Sequence, residues 1–205
     1  MSTNAAPYVF RPWTGRAVTI GIAVIAVVAV CGIAWQYGPG DGLRAAPWLA
    51  LVVWTCWALL WRPHVEVDDA GVRFVNVFRT VALPWPSIQA IDTKWALTLI
   101  TAYGKYTAWA APAPGAAGTM RAHRSETKGL PDSTYGPEGI RPGDLPSSAS
   151  GETALLIRER WELLRDAGFL DDPKLEHARA PVRYHVRLLP VPLMLAASAV
   201  LTLVV

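Results

Sequence analysis

AVTIGIAVIAVVAVCGIA, residues Ala17–Ala34, is followed ten residues later by AAPWLALVVWTCWALLW, residues Ala45–Trp61. No Asp, Glu, Lys or Arg interrupts either run. At ~1.5 Å per helical residue, roughly 17–25 apolar residues cross a ~30 Å hydrocarbon layer. Both runs fall at the lower end of that window, so each reads as a membrane-crossing helix. A third apolar run, Leu188–Val205, closes the sequence. Pro190 and Pro192 stand at its start, where a missing N–H costs little. It too is expected to span.

Between the first two runs lies Gln36–Arg44, rich in Gly and Pro. So short a connection makes the helices antiparallel neighbours. Gly21, Ala26, Ala29 and Gly32 are small enough for close approach of the two backbones. Trp13 and Trp35 flank the first run, and Trp48 and Trp61 bracket the second. An indole ring favours the headgroup level, so these four are expected to anchor the hairpin at the interfaces. Trp54, Trp57 and Trp61 share one helical face.

Arginine sets the orientation. Arg11 and Arg16 precede the hairpin, Arg62, Arg73 and Arg79 follow it, and Arg179, Arg183 and Arg187 precede the third run. The connection carries Arg44 alone, beside Asp41. The positive-inside rule then puts the N-terminus and the central domain in the cytoplasm of a multi-pass cell-membrane protein. A cleaved leader is disfavoured, because the first run exceeds a ~7–15 residue h-region and no A-x-A site follows.

The whole chain agrees with this class. Its 205 residues are 52% hydrophobic and 17% charged, against about 25% charged in soluble domains. A net charge of +3 without a Lys/Arg cluster argues against a nucleic-acid partner. Cys31 and Cys56, the two cysteines, both lie in apolar runs and read as small core residues rather than a disulfide.

From Val65 the period changes to two. His64–Asp68, Val72–Val77, Thr80–Leu83, Ser87–Asp92, Trp95–Thr101 and Lys105–Trp109 read as six short strands with tight turns between them. They imply an antiparallel meander curling into a barrel or sandwich. Pro112–Ser150 is rich in Pro, Gly, Ala and Ser and lacks apolar periodicity, which predicts a flexible linker. Glu152–Ala167 has Leu156, Ile157, Trp161, Leu164 and Ala167 on one face, with Arg158, Glu159, Glu162 and Arg165 elsewhere. That spacing predicts an amphipathic helix with Ser150 as its N-cap and Gly168 as its stop.

The expected organisation is a cytoplasmic tail (1–16), a transmembrane hairpin (17–61), a β domain (62–111) and a flexible linker (112–150). An amphipathic helix (151–170), a juxtamembrane segment (171–187) and a transmembrane helix (188–205) complete it. The fold class is α+β.

No sequence pattern marks a catalytic, cofactor or metal site. His64, Glu66 and Asp68 would share one strand face, but alternating polar residues also mark a solvated face. No phosphate loop, nucleophile elbow or zinc motif occurs. A non-enzymatic role is therefore expected.

Asp69-Ala70-Gly71-Val72-Arg73, then Arg79, then Leu83-Pro84-Trp85-x-x-Ile88 resembles the bacterial PH domain of the low-molecular-weight protein antigen 6 family, actinobacterial membrane proteins. The resemblance covers roughly Trp48–Ala110. It implies a PH-like domain behind a membrane hairpin, with Gly71, Pro84, Trp85 and Ile88 as structural motif residues. Trp85 should plug the barrel and Ile88 should open the next strand. A PH fold has seven strands, so a seventh is expected near Thr107–Ala113 unless the barrel is incomplete. Phosphoinositide binding needs a basic first hairpin, and Asp68-Asp69-Ala70-Gly71 is acidic. A protein or peptide partner at a strand edge or barrel-end groove is the expectation. The alternative is an accessory subunit of a transporter or envelope enzyme complex, docked through its transmembrane helices. In either case the partners are the lipid bilayer and a membrane or envelope protein.

Overall fold

The computed structural model describes residues 8–115, 131–134, 141–170 and 179–203. The chain divides into two compact units.

One unit is helical and comprises residues 12–63 and 184–205. Helix α1 covers Trp13–Tyr37 and helix α2 covers Pro39–Cys56, continued by a π-helical turn at Trp57–Trp61. Both are long and apolar enough to cross a membrane, by length and composition. The turn between them is tighter than the sequence suggests. Gly38 alone, at φ 106°, separates the helices, a conformation that L side chains rarely adopt. Pro39 opens α2 with its ring preset for a first turn, and Asp41 there complements the helix dipole.

The glycines that bring α1 and α2 together are not the expected ones. Gly21 and Gly32 face open space. Gly42 packs on Ala34, where an added Cβ would come within 2.6 Å of the Ala34 Cβ. At the opposite end Gly15 meets the carbonyl of Leu60 so closely that no side chain could stand between them.

The third apolar run departs from expectation. Its helix comprises only Pro190–Leu201, 12 residues, after a 3-10 turn at Val186–Leu188. At ~1.5 Å per residue this is ~18 Å, short of a ~30 Å hydrocarbon layer. Both prolines lie in its first turn, where their missing N–H groups cost no helical hydrogen bond. It packs on α2, where the indole N–H of Trp48 donates to Thr202 Oγ1 at 3.4 Å.

The other unit is the β domain, residues 64–183 together with the residues up to Arg11. Strands β2 (His64–Val67), β3 (Gly71–Val75) and β4 (Arg79–Pro84) form one antiparallel meander. Strands β5 (Ile88–Asp92), β6 (Ala96–Thr101) and β7 (Gly104–Pro112) form a second. These are the six strands that alternation predicts. Their inward residues make one core: Val65, Val72, Phe74, Val81 and Leu83 from the first sheet, Leu97, Leu99 and Ala108 from the second.

A further strand lies where the sequence reading has only a tail. Tyr8–Phe10 forms β1, which pairs antiparallel with β2 in the register Tyr8↔Val67, Val9↔Glu66, Phe10↔Val65. Phe10 is buried in the core. The stretch proposed to hide a strand, Thr107–Ala113, is instead the continuation of β7 past a break in register. On the far edge Val182–Tyr184 forms β8 beside β4, giving the order β1-β2-β3-β4-β8.

Helix α3 spans Ala149–Asp166. Its N-cap is Ser148, whose hydroxyl accepts from Gly151 N at 2.9 Å, rather than Ser150. Ser150 is buried and donates to the Gly143 carbonyl at 2.8 Å. Ala154 and Ile157 enter the core, with Trp161 and Leu164 packed against it. Ala167 is exposed.

Candidate interaction site

The turn Asp68–Gly71 shows how local sequence builds one end of the β domain. Asp68 Oδ1 accepts from Ala70 N at 2.9 Å and Gly71 N at 3.0 Å, the way an aspartate stabilises its own turn. Gly71 faces Pro84 across the ladder, and a side chain there would strike the Leu83 carbonyl. Pro84 closes β4 and hands the chain to Trp85. The indole of Trp85 is buried and donates to the Asp68 carbonyl at 3.0 Å. Ile88, also buried, opens β5, and its carbonyl accepts from Trp161 Nε1 of α3 at 3.0 Å. Gly71, Pro84, Trp85 and Ile88 thus tie the first turn, the sheet switch and the helix into one corner.

The acidic residues around this corner are matched by arginines. Arg73 Nη1 reaches Glu66 at 2.5 Å and its Nη2 reaches Asp68 at 3.4 Å. Glu66 also meets His64 Nε2 at 3.1 Å. Asp69 pairs with Arg160 of α3 at 2.7 Å. The acidic residues of this turn are thus paired with arginines of the same domain. Among the described residues, no three His, Cys, Asp or Glu side chains gather as metal ligands would.

The expected linker contains a structural centre. Arg141–Asp144 docks against the β5–β6 turn. Asp144 is buried and binds Arg158, also buried, at 2.8 Å. It accepts from Thr93 Oγ1 at 2.6 Å and from Arg141 N at 3.0 Å. The Arg141 side chain pairs with Asp92. Residues 141–150, read from the sequence as part of a flexible linker, pack on the domain, and Arg158, read as lying off the apolar helix face, is buried. The physical reason is one carboxylate with enough donors to hold a buried guanidinium. Residues 116–130 and 135–140 of the linker lie outside the described residues.

The sheet edges offer little room for an added strand. At β5 the Ile88 carbonyl is taken by Trp161. At β7 the Asn76 side chain substitutes for a neighbouring strand: its Nδ2 donates to Thr107 O and its Oδ1 accepts from Trp109 N, both at 2.9 Å. Strands β1 and β8 are three residues each. Tyr8 of β1 donates to Glu152 of α3 at 3.2 Å. Burial, then the charge of Glu152, raises its phenol pKa above the ordinary 10.0.

The domain leaves several large apolar side chains outward, Leu163 and Phe169 at the end of α3 among them. Phe78, Trp95 and Trp109 are 65%, 82% and 57% exposed. Phe78 lies in the β3–β4 turn, two residues from the Asn76 that holds β7. Trp95 lies in the β5–β6 turn, its carbonyl accepting from Ala113 N at 3.0 Å just past β7. Trp109 is on β7 itself, and these three residues frame the candidate interaction surface. The sequence reading counts Trp95 and Trp109 only as strand residues. Their outward placement was available from parity, since Thr107 and Trp109 alternate with the buried Ala108 and Ala110.

The four tryptophans expected to be interface anchors sit on the helical unit. Trp13 and Trp35 are exposed at opposite ends of α1, Trp48 reaches Thr202, and Trp61 lies beneath the Arg16 guanidinium, 5.5 Å away. Trp54 and Trp57 meet ring to ring at 6.4 Å.

Two antiparallel meanders and a closing helix over a tryptophan-plugged corner are the features by which the domain is compared with others. Residues 62–144 match the bacterial PH domain. The matched stretch starts where the hairpin ends and stops at Asp144, the carboxylate that holds α3 to the PH domain. No curated protein and no solved structure matches the chain. The β domain extends beyond the matched stretch. Its first strand, β1, comes before the two apolar helices and its second, β2, after them.

Proposed function

We propose that this chain is a membrane-anchored PH-like module that holds a protein or peptide partner at the cytoplasmic membrane. The observation that carries the reading is the pairing of β1 with β2 across the hairpin. A chain that leaves a sheet, crosses a membrane and rejoins the same sheet must cross an even number of times, and α1 and α2 supply two. Both hairpin ends then lie on one face with the domain. The arginines Arg11, Arg16 and Arg62 at those ends, against Arg44 paired with Asp41 at 3.4 Å at the other, support reading that face as the cytoplasmic one. The Gly71 and Pro-Trp-x-x-Ile pattern supports kinship with the actinobacterial low-molecular-weight protein antigen 6 family.

A binding role fits better than a catalytic one, because Glu66, Asp68, Asp69, Asp92 and Asp144 are engaged by arginines of the same domain. With the edges of β5 and β7 in use, the partner surface is the aromatic set Phe78, Trp95 and Trp109. Large exposed rings of this kind dominate binding energetics at interfaces. The test places a photo-crosslinking side chain at Phe78 or Trp95 in native membranes, with exposed Glu159 on α3 as the control site. The reading expects one discrete adduct from the aromatic positions, lost when Trp95→Ala is combined with a crosslinker at Phe78. Equal capture from Glu159 would count against it.

A further inference from the structure

We propose that the hairpin carries a binding site for one anionic phospholipid, its phosphate at Arg16 and an acyl chain in the groove between α1 and α2. This rests on the reading of the hairpin as membrane-embedded.

Gly15 brings the first turn of α1 against the π-helical turn of α2. The wider turn, closed by Arg62 N donating to Trp57 O at 3.1 Å, sets Trp61 under the guanidinium of Arg16. Arg16 has a buried Nε without a hydrogen-bond partner, and no carboxylate pairs with it among the described residues. A guanidinium stays charged at any relevant pH and presents five donors in a planar fork. Stacking on an indole leaves that fork unfilled. At a membrane surface the matching acceptor is a phosphate, which guanidinium binds through paired hydrogen bonds.

The apolar part of the site adjoins this charge. A groove of about 770 Å³ runs between the helices, lined on α1 from Thr19 to Cys31, on α2 and its π-helical turn from Ala46 to Trp61, and by Leu195 of the C-terminal helix. Trp61 lies both beneath Arg16 and along the groove, so the charged mouth and the apolar trough are continuous. The Thr19 hydroxyl is already bonded to the Gly15 carbonyl at 2.8 Å and asks nothing of an occupant. The α1 lining is ~18 Å long at ~1.5 Å per residue, close to one leaflet of a ~30 Å core. A charged head at one end and a one-leaflet apolar tail are the dimensions of a phospholipid. A partner's spanning helix would carry no phosphate for Arg16 and would continue past the groove.

The experiment uses the full-length protein, delipidated in neutral detergent and titrated by native mass spectrometry. Phosphatidylglycerol should give a single adduct that survives activation energies stripping phosphatidylcholine. Arg16→Gln should weaken it at least tenfold, and so should Ala50→Leu, which fills the groove from an exposed position. Arg44→Gln, at the other end of the hairpin, should leave it unchanged. Glycerol phosphate, the headgroup without chains, should not bind. Equal retention of phosphatidylcholine, or indifference to both Arg16→Gln and Ala50→Leu, would overturn the site. So would glycerol phosphate binding as well as the lipid, or a copurified polypeptide that the lipid fails to displace. Carbonate extraction separates the two layers of inference: wild-type protein that pellets yet lacks lipid selectivity overturns the site alone. Protein released to the supernatant overturns the membrane reading along with it.

Discussion

Arg158 in the β domain and Arg16 in the helical hairpin are the same side chain in opposite circumstances. Arg158 is buried, with Asp144 against it at 2.8 Å and Thr93 and the Arg141 amide completing the carboxylate's partners. Arg16 lies over an indole with no carboxylate paired to it among the described residues, and both arginines keep a buried Nε without a hydrogen-bond partner. The β domain supplies carboxylates to Arg73, Arg158 and Arg160. The hairpin pairs Arg44 with Asp41 and leaves Arg16 to the indole. A region that satisfies its own charges is built for shape, whereas one that leaves a cation against an apolar trough is built to take something from its surroundings.

The largest expected effect tests the self-contained side of that contrast. Asp144→Ala strands Arg158 without a counter-charge and should cost about 3–5 kcal/mol in denaturant melts of the full-length protein. Replacing both partners, as Asp144→Leu with Arg158→Met, should recover most of the loss. A loss below ~1 kcal/mol for the single change would erase the difference between the two arginines. Phe10→Ala should cost about 3 kcal/mol, because it empties a core position and loosens β1. Trp13→Ala, three residues on and exposed, should leave the same melt nearly unchanged. Arg16→Gln should change stability by no more than about 1 kcal/mol, the worth of an exposed cation–π contact. Ser148→Ala should cost about 1 kcal/mol through the lost N-cap of α3.

The smallest effect is a pH dependence. Tyr8 has a raised pKa in the folded protein, so folding favours its neutral form. Its contribution is complete below the unfolded value near 10 and fades as pH rises through the folded value. Tyr8→Phe should flatten the alkaline limb of the melting profile relative to wild type. An identical alkaline limb in both proteins would separate Tyr8 from Glu152.

Much of the β domain is legible in the sequence because short apolar stretches with period-two character recur, most of them separated by turns that carry Gly, Pro or Asp. Trp85 and Ile88 stand out because they follow a proline where one sheet gives way to the next. Strand β1 is not legible: three residues carry no period, and their partner lies beyond a hairpin of more than fifty residues. Asp144 is hidden in a Gly- and Pro-rich stretch, where a single carboxylate has no pattern to announce that it is buried. Arg158 misleads for the converse reason, since a charge at helical spacing reads as solvated unless its partner is known. The terminal helix is overestimated because an apolar run does not mark where its helix starts and stops: Leu188, Leu189 and Leu203 share the composition and lie outside the helix. The groove and the Arg16 stack depend on a π-helical turn and on Gly15, neither of which has a sequence signature of its own.

The central claim is that the PH domain is closed by a strand lying on the other side of the hairpin in sequence. Cysteines at Val9 and Glu66, directly opposed in the β1–β2 register, test it in isolated membranes after Cys31→Ser and Cys56→Ser. Oxidation should join them within one chain, in high yield, while a Val9 and Thr80 cysteine pair, two strands further away, stays open. Failure of the Val9–Glu66 pair to close, or equal closure of both pairs, would contradict the account.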